Sequence, residues 1–336
     1  MERVAVALDQ LGRRLDQIEV ATTLAGYKRL LAWAEGLGRV EAFGIEGTGC
    51  YGAGLARLLR VSDVRVVEVM RTNRQTRRRK GKSDPTDAEA AARAVSSAEA
   101  TVSPKAGDHL VEMIRVLRVA RGTAIKARTQ AINALCSLLV TAPPELREQL
   151  RARSTSGLID MAARVRPGLV GSPLAANKLA LRRLARRCQT LEAEITSLDC
   201  QLAKLTAAAS PRLIEAFGVG ADTAGALLVA AGDNLERLRP EAAFSMLCGS
   251  SPIKASSGKT NRHRLNRGGN RQANAALYRI VLVRMRYHQP TRAYVVRRTS
   301  EGKSKREIIR CLKRYVAREI YTVLTQTGEQ KLPRAA

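Results

Sequence analysis

The chain of 336 residues is long enough for two domains with real cores, and 45% hydrophobic content fits a globular protein. Its 58 Lys and Arg against 30 Asp and Glu leave a net charge of +28, more than solubility needs, which points to a polyanion as partner. No apolar run approaches the roughly 20 residues of a membrane span, and "VAVAL" after Met1 is too short for a secretory signal. Six scattered cysteines without a C-x-x-C pair, with three histidines, speak against a zinc site or a disulfide framework and fit a reducing cytosol.

In chain order, "RVAVALD" and "LDQIEVAT", joined by "QLGRR", read as a strand hairpin. "AGYKRLLAWAEGL" reads as a helix, "VEAFGIEG" as an apolar strand, "YGAGLARLLRV" as a helix and "VRVVEV" as another strand. The order β-β-α-β-α-β implies a sheet covered by helices. A basic loop over 71–82 follows, then a helix from about Asp84 to Ser97 with Asp84 as its N-cap. Helical spacing runs from Leu110 to Val140, where "TAPPE" stops it. Leu181, Leu184, Cys188, Leu191, Ile195, Leu198, Leu202 and Leu205 form an a/d seam, expected either as a coiled coil between subunits or as a helix packed within a hairpin or bundle. "LIEAFGVGADTAGALLVAAGD" fits a helix-hairpin-helix whose turn, at Gly218 and Gly220, offers backbone N–H groups to phosphates. The remainder is helical and crowded with arginine.

Two constellations could carry chemistry. Glu46 ends a strand just before "GTGCYG", where ligands of open α/β sheets sit, and Asp84 and Asp87 lie one helical turn apart. Three such acids could bind Mg²⁺, a hard cation that takes oxygen ligands, and so act on a phosphodiester. Spacing alone leaves the plainer reading open: a surface strand end, and two acids offsetting a helix dipole. The second constellation is "SPIKASSGKTNRHRLNRGGNRQAN". Here Ser256 and Ser257 precede Lys259, Arg262, Arg264, Arg267 and Arg271, a setting that suits a phosphoryl-transfer nucleophile and equally a basic loop that only touches phosphates. Arg77, Arg78, Arg79 and Lys80 add a further phosphate-binding run.

The blocks "FGIEGTGCYGAGLARLLR", "RRRKGKSDPTDAEAAARAV", "GVGADTAGALLVAAGD", "SSGKTNRHRLNRGGNRQANAALYRI" and "EGKSKREIIRCLKRYVAREIY" occur in this order. Together they resemble the transposases of the insertion sequence 110 family, relatives of the Piv-type invertases. The resemblance implies an α/β RuvC-like (ribonuclease H-like) N-terminal domain with an Asp-Glu-Asp-Asp set that binds Mg²⁺, over residues 1–150. It implies a helical, coiled-coil connector over 151–207 and a mostly α C-terminal domain with the helix-hairpin-helix over 208–336, which supplies a serine that joins covalently to DNA. The family's glutamate maps to Glu46, its paired aspartates to Asp84 and Asp87, and its serine to Ser257, with Ser256 the alternative. A guide (bridge) RNA, a homo-oligomer joined through the helical connector and a bacterial cytoplasmic, nucleoid-associated setting are further implications. The chain opens at what corresponds to the family's second strand, so the family's first Asp is expected to lie outside it, as a truncated gene or a start assigned too far downstream would produce; Asp9 is expected in the hairpin turn, away from Glu46. Ser257 is expected far from Asp84 within one subunit, a composite site then needing a partner chain. Two rival functions stand beside DNA transposition: a RuvC-like nuclease with no covalent serine step, and a nucleic-acid-binding remnant that cannot cut.

Overall fold

The computed structural model describes residues 2–70, 83–107, 109–151, 154–258 and 263–327. Arg77, Arg78, Arg79, Lys80, Lys259 and Arg262, assigned above to phosphate binding, lie outside them. Two compact units divide the chain: one of residues 1–109 with 231–240, the other of 110–230 with 241–336.

The first unit opens with β1 (Glu2–Leu8) and β2 (Arg14–Ala21), paired antiparallel with Glu2 opposite Ala21. α1 (Leu24–Gly36) follows at once because Thr23, in extended backbone, accepts the Gly26 N–H on its hydroxyl. β3 (Phe43–Glu46) and β4 (Val66–Val69) pair in parallel across α2 (Ala53–Val61), a right-sized βαβ crossover. The core of Val20, Leu30, Ile45, Leu55, Leu59 and Val66 holds these pieces together, and the Trp33 indole N–H donates to Asp16 at 2.9 Å, tying α1 to β2. α3 (Asp84–Ser96) packs on both β1 and β3.

The single covered sheet expected from the element order is instead two two-stranded sheets, β1–β2 and β3–β4. Among the described residues no strand bridges β1 and β3; α3 spans them with side chains. Gly44 is required there, since a Cβ would meet the Ala91 carbonyl at 2.9 Å and the Val95 methyl at 2.8 Å. Residues 231–240 belong to this unit because Asn234 binds the 104–106 segment, donating to the Pro104 carbonyl at 2.9 Å and accepting the Ala106 N–H at 3.2 Å.

The second unit is built on a helical hairpin. α4 (Leu110–Val140) lies antiparallel to α7 (Pro173–Ala209), as the ion pairs Arg128–Glu192 and Arg121–Asp199 record. α7 begins at Ser172, whose hydroxyl accepts the Ala175 N–H, with Pro173 in the first turn. Leu181, Cys188, Ile195 and Leu202 of the a/d seam are buried. These four residues pack within the α4–α7 hairpin of the chain itself. α5 (Pro144–Gln149) and α6 (Thr155–Arg164) close one end through Leu146, Leu150 and Ile159.

α8 (Pro211–Glu215) and α9 (Ala221–Ala231) meet at a turn, and α10 (Glu241–Leu247) leads to a short hairpin of β5 (Ile253–Lys254) and β6 (His263–Arg264). α11 (Arg271–Tyr287), α12 (Gln289–Ser300) and α13 (Lys305–Thr327) complete the unit. Leu277, Ile280, Ile308, Val316 and Ile320 form part of its core. No helix described is long and apolar enough to cross a membrane.

Candidate active site

In the first unit, α3 starts one residue earlier than expected of its cap. Ser83, not Asp84, is the N-cap: its backbone is extended (φ −142°, ψ 150°), its hydroxyl accepts the Thr86 N–H, and Pro85 sits in the first turn. Asp84 and Asp87 are therefore both first-turn acids, Asp84 exposed and Asp87 half-buried. Their charge suits the positive end of the helix dipole. Glu46 is exposed at the end of β3, before Gly47, whose φ of +68° and carbonyl, accepting the Cys50 and Gly52 N–H groups, turn the chain into α2.

Asp84 also borders two acids that the sequence reading passed over. The Glu19 carboxyl is pushed up by its hydrogen bond to Glu2, then by the charges of Glu2 and, more weakly, Asp84. Negative charge is thus crowded at the open end of the β1–β2 hairpin. Asp9 lies at the other end. Its carboxylate accepts the Leu11 and Arg13 N–H groups at 2.9 and 2.8 Å, closing the turn, and Gly12 of that turn takes the Arg93 guanidinium from the far half of α3. Nine residues of helix at 1.5 Å each separate Arg93 from Asp84, about 14 Å. Asp9 is a turn residue.

The donor types of Glu46, Asp84 and Asp87 suit Mg²⁺, which takes carboxylate oxygens. Among the described residues, however, no three His, Cys, Asp or Glu side chains are gathered to hold a metal ion.

In the second unit, Ser256 and Ser257 are exposed on the β5–β6 connection, just before Gly258 (φ +54°). Arg264 on β6, Arg267 beyond it and Arg271 at the start of α11 are exposed as well. The structure thus brings three arginines and both serines into one short hairpin and its exit. The sequence reading missed what anchors that hairpin. Asn274 donates to the Cys248 and Gly249 carbonyls at 2.8 and 3.1 Å and accepts from the Lys313 ammonium at 3.0 Å. The signal was present: Lys313 falls on the apolar stripe Ile309–Leu312–Val316–Ile320, where a charged residue is out of place.

The turn between α8 and α9 has Gly218 at φ +79°, a value that favours glycine. A Cβ at Gly218 would also meet Val283 at 3.3 Å. Arg284 of α11, nearly buried, clamps the turn by donating to the Phe217 carbonyl at 2.8 Å while pairing in bidentate fashion with Glu319 at 2.6 and 2.7 Å. The exposed Gly220 has its N–H taken by the Thr223 hydroxyl at 3.0 Å. Asp222, in the first turn of α9, accepts from Arg118 at 2.7 Å and Arg279 at 2.6 Å, with Arg121 at 3.4 Å. Burial works to raise its carboxyl, but Arg118 and Arg279 outweigh it and hold the group below the usual carboxylate range.

Residues 2–144 match a family model described as a transposase, of the DEDD type of the insertion sequence 110 group, and this match implies a RuvC-like N-terminal domain. Residues 210–296 match a second model, described as the transposase IS116/IS110/IS902 family. The two matches follow each other in chain order and cover about two-thirds of the chain. Glu46, Asp84 and Asp87 fall within the first, Ser256 and Ser257 within the second. No curated protein sequence matches the chain.

Proposed function

Because the chain belongs to the insertion sequence 110 family of transposases, we propose that it cuts and rejoins DNA strands with Ser257 as the attacking nucleophile. The observation that carries this reading is the exposed serine pair on a hairpin edged by Arg264, Arg267 and Arg271, inside the second family match. The Ser257 oxygen bonds to phosphorus as the bond from phosphorus to one deoxyribose oxygen breaks. The serine proton leaves to a base, and the departing sugar oxygen takes one up. One phosphate ester replaces another, so a second DNA hydroxyl can later displace the serine and reseal a strand without added energy. The arginines offset charge that develops on the phosphate oxygens as the bonds exchange.

Glu46, Asp84 and Asp87 are assigned to hold Mg²⁺, which when bound polarises a phosphate oxygen. Since these side chains are not gathered around one point, no step is derived through the ion. The charge excess is assigned to DNA and to a guide RNA, with Arg77, Arg78, Arg79, Lys80, Lys259 and Arg262 among the contacts; the Gly220 N–H, already held by Thr223, is not offered to a phosphate. A working homo-oligomer is assigned to the helical connector over 151–207, in the bacterial cytoplasm at the nucleoid.

The test is a plasmid carrying the DNA that flanks this reading frame, incubated with the protein, its transcribed flanking RNA and Mg²⁺. Rejoined recombinant strands are expected. Strand breaks without a protein–DNA adduct would favour a RuvC-like nuclease, and binding without breaks a remnant that cannot cut.

A further inference from the structure

Among the described residues the β5–β6 hairpin shows two ladder pairs, Ile253 with Arg264 and Lys254 with His263, and Ser257 carries a β-bridge beyond them; so short a hairpin is marginal on its own. Where it is aimed depends on its neck, where the chain enters after α10 and leaves into α11. There the two backbones touch: a Cβ on Gly269 would fall inside the main chain of Gly249. Gly249 itself has φ +64°, and the Asn270 N–H donates to the Leu247 carbonyl at 2.6 Å across the crossing. Asn274, in the first turn of α11, sits behind this crossing and donates to two successive entry-side carbonyls, Cys248 and Gly249.

An asparagine amide can present either end, and Lys313 decides which. An ammonium only donates, so the Asn274 oxygen must face it at 3.0 Å and the NH₂ must face the carbonyls. Lys313 is 6% exposed, and no carboxylate among the described residues pairs with it. Burial, with Arg310 adding to it, pushes its ammonium below the usual lysine range. A buried charge held by one amide oxygen is a costly way to fill a site flanked by Leu312 and Val316, which a methionine would suit. The next residue, Arg314, pairs with Glu241 of α10, and the Ser245 carbonyl in α10 accepts the Ser250 N–H at 2.9 Å. Adjacent residues of α13 thus grip the neck at Asn274 and, through α10, at Ser250.

We propose that Lys313 and Asn274 form a latch that closes the hairpin neck and so aims the serine loop; the aiming role rests on the serine reading above, whereas closure of the neck does not. Lys313 and Asn274 are positioning residues that act through the Cys248–Gly249 carbonyls.

Cys248, fully buried at the neck, reports on closure directly. The full-length protein is treated with a small alkylating reagent under native conditions, and modification is followed by peptide mass spectrometry, with buried Cys188 of α7 as internal control. Lys313→Met and Asn274→Asp are compared with wild type. Asn274→Asp keeps a partner for Lys313, as an ion pair, yet turns oxygen toward the carbonyls in place of the donor, so it tests the latch even if Lys313→Met folds poorly. Both variants are expected to label Cys248 at least tenfold faster with Cys188 unchanged, and to form the Ser257–DNA adduct at least tenfold more slowly with DNA affinity retained. Wild-type Cys248 labelling in both variants would overturn the latch. Faster labelling with an undiminished adduct rate would overturn its role in aiming the serine. A wild-type protein that forms no Ser257 adduct would sink the serine reading, and the Cys248 rates would still decide closure.

Discussion

Replacing Asp222 with asparagine tests whether the arginine cluster at the α9 N-terminus holds the second unit together. The Asp222 carboxylate takes Arg118 at 2.7 Å, and the same guanidinium nitrogen reaches the Asp222 carbonyl at 2.7 Å. The Arg118 and Asp222 side chains are 13% and 28% exposed, so this pair is largely desolvated, whereas Arg279 is 50% exposed and well screened. Removing one partner of a buried pair costs about 3–5 kcal/mol, and an exposed pair adds roughly 0.5. Asparagine keeps an acceptor for Arg118, so we expect a loss of about 2 kcal/mol, or a Tm lower by about 4–8 °C. The folded carboxyl lies below its ordinary value, so its stabilisation is present above the unfolded pKa of about 3.9 and is lost as pH falls through the lower folded value. Thermal unfolding followed by circular dichroism should show a gap between wild type and variant that is constant from about pH 8 to 5 and narrows below about pH 4. A gap under about 0.5 kcal/mol at neutral pH, or one still fully open at about pH 2, would refute the argument.

Three further predictions follow from the first unit and the charge excess. Asp87→Ala should abolish Mg²⁺-dependent strand cleavage and leave nucleic-acid affinity nearly intact, read by a nicking assay beside a binding titration; retained cleavage would remove Asp87 from the metal set. Asp9→Ala should cost about 1 kcal/mol through loss of its turn bonds and leave cleavage unchanged; lost cleavage in a folded variant would show Asp9 to be a catalytic acid. Duplex affinity should fall with salt at a log–log slope of about −0.9 per neutralised phosphate, and a flat response would make the +28 charge mere surface.

Local order was legible in the sequence wherever periodicity was strong. The hairpin at Glu2–Ala21, the Leu110–Val140 helix and the strand ending at Glu46 follow from alternation, 3.6-residue spacing and turn residues. The cap of α3 was misplaced by one residue because Ser83 and Asp84 are both good caps, and Pro85 fits the first turn after either. The intrachain partner of the a/d seam was not legible, since the same leucines serve a subunit interface or a hairpin; the ion pairs Arg121–Asp199 and Arg128–Glu192 mark the α4–α7 hairpin. Nor could the split of the sheet or the return of 231–240 to the first unit be read, because strand partners and long-range contacts leave no local period. At the serine hairpin the residue types were readable, but not the Gly249–Gly269 crossing, which joins residues through three dimensions.

The central claim is that Ser257 becomes covalently attached to DNA during strand exchange. Labelled flanking DNA is incubated with the protein, RNA and Mg²⁺, quenched in denaturant, and the adduct is digested and sequenced by mass spectrometry. A phosphodiester-linked nucleotide on Ser257, absent in Ser257→Ala and retained in Ser256→Ala, is the predicted result. Rejoined strands formed at the wild-type rate by Ser257→Ala, with no adduct on any serine, would contradict it.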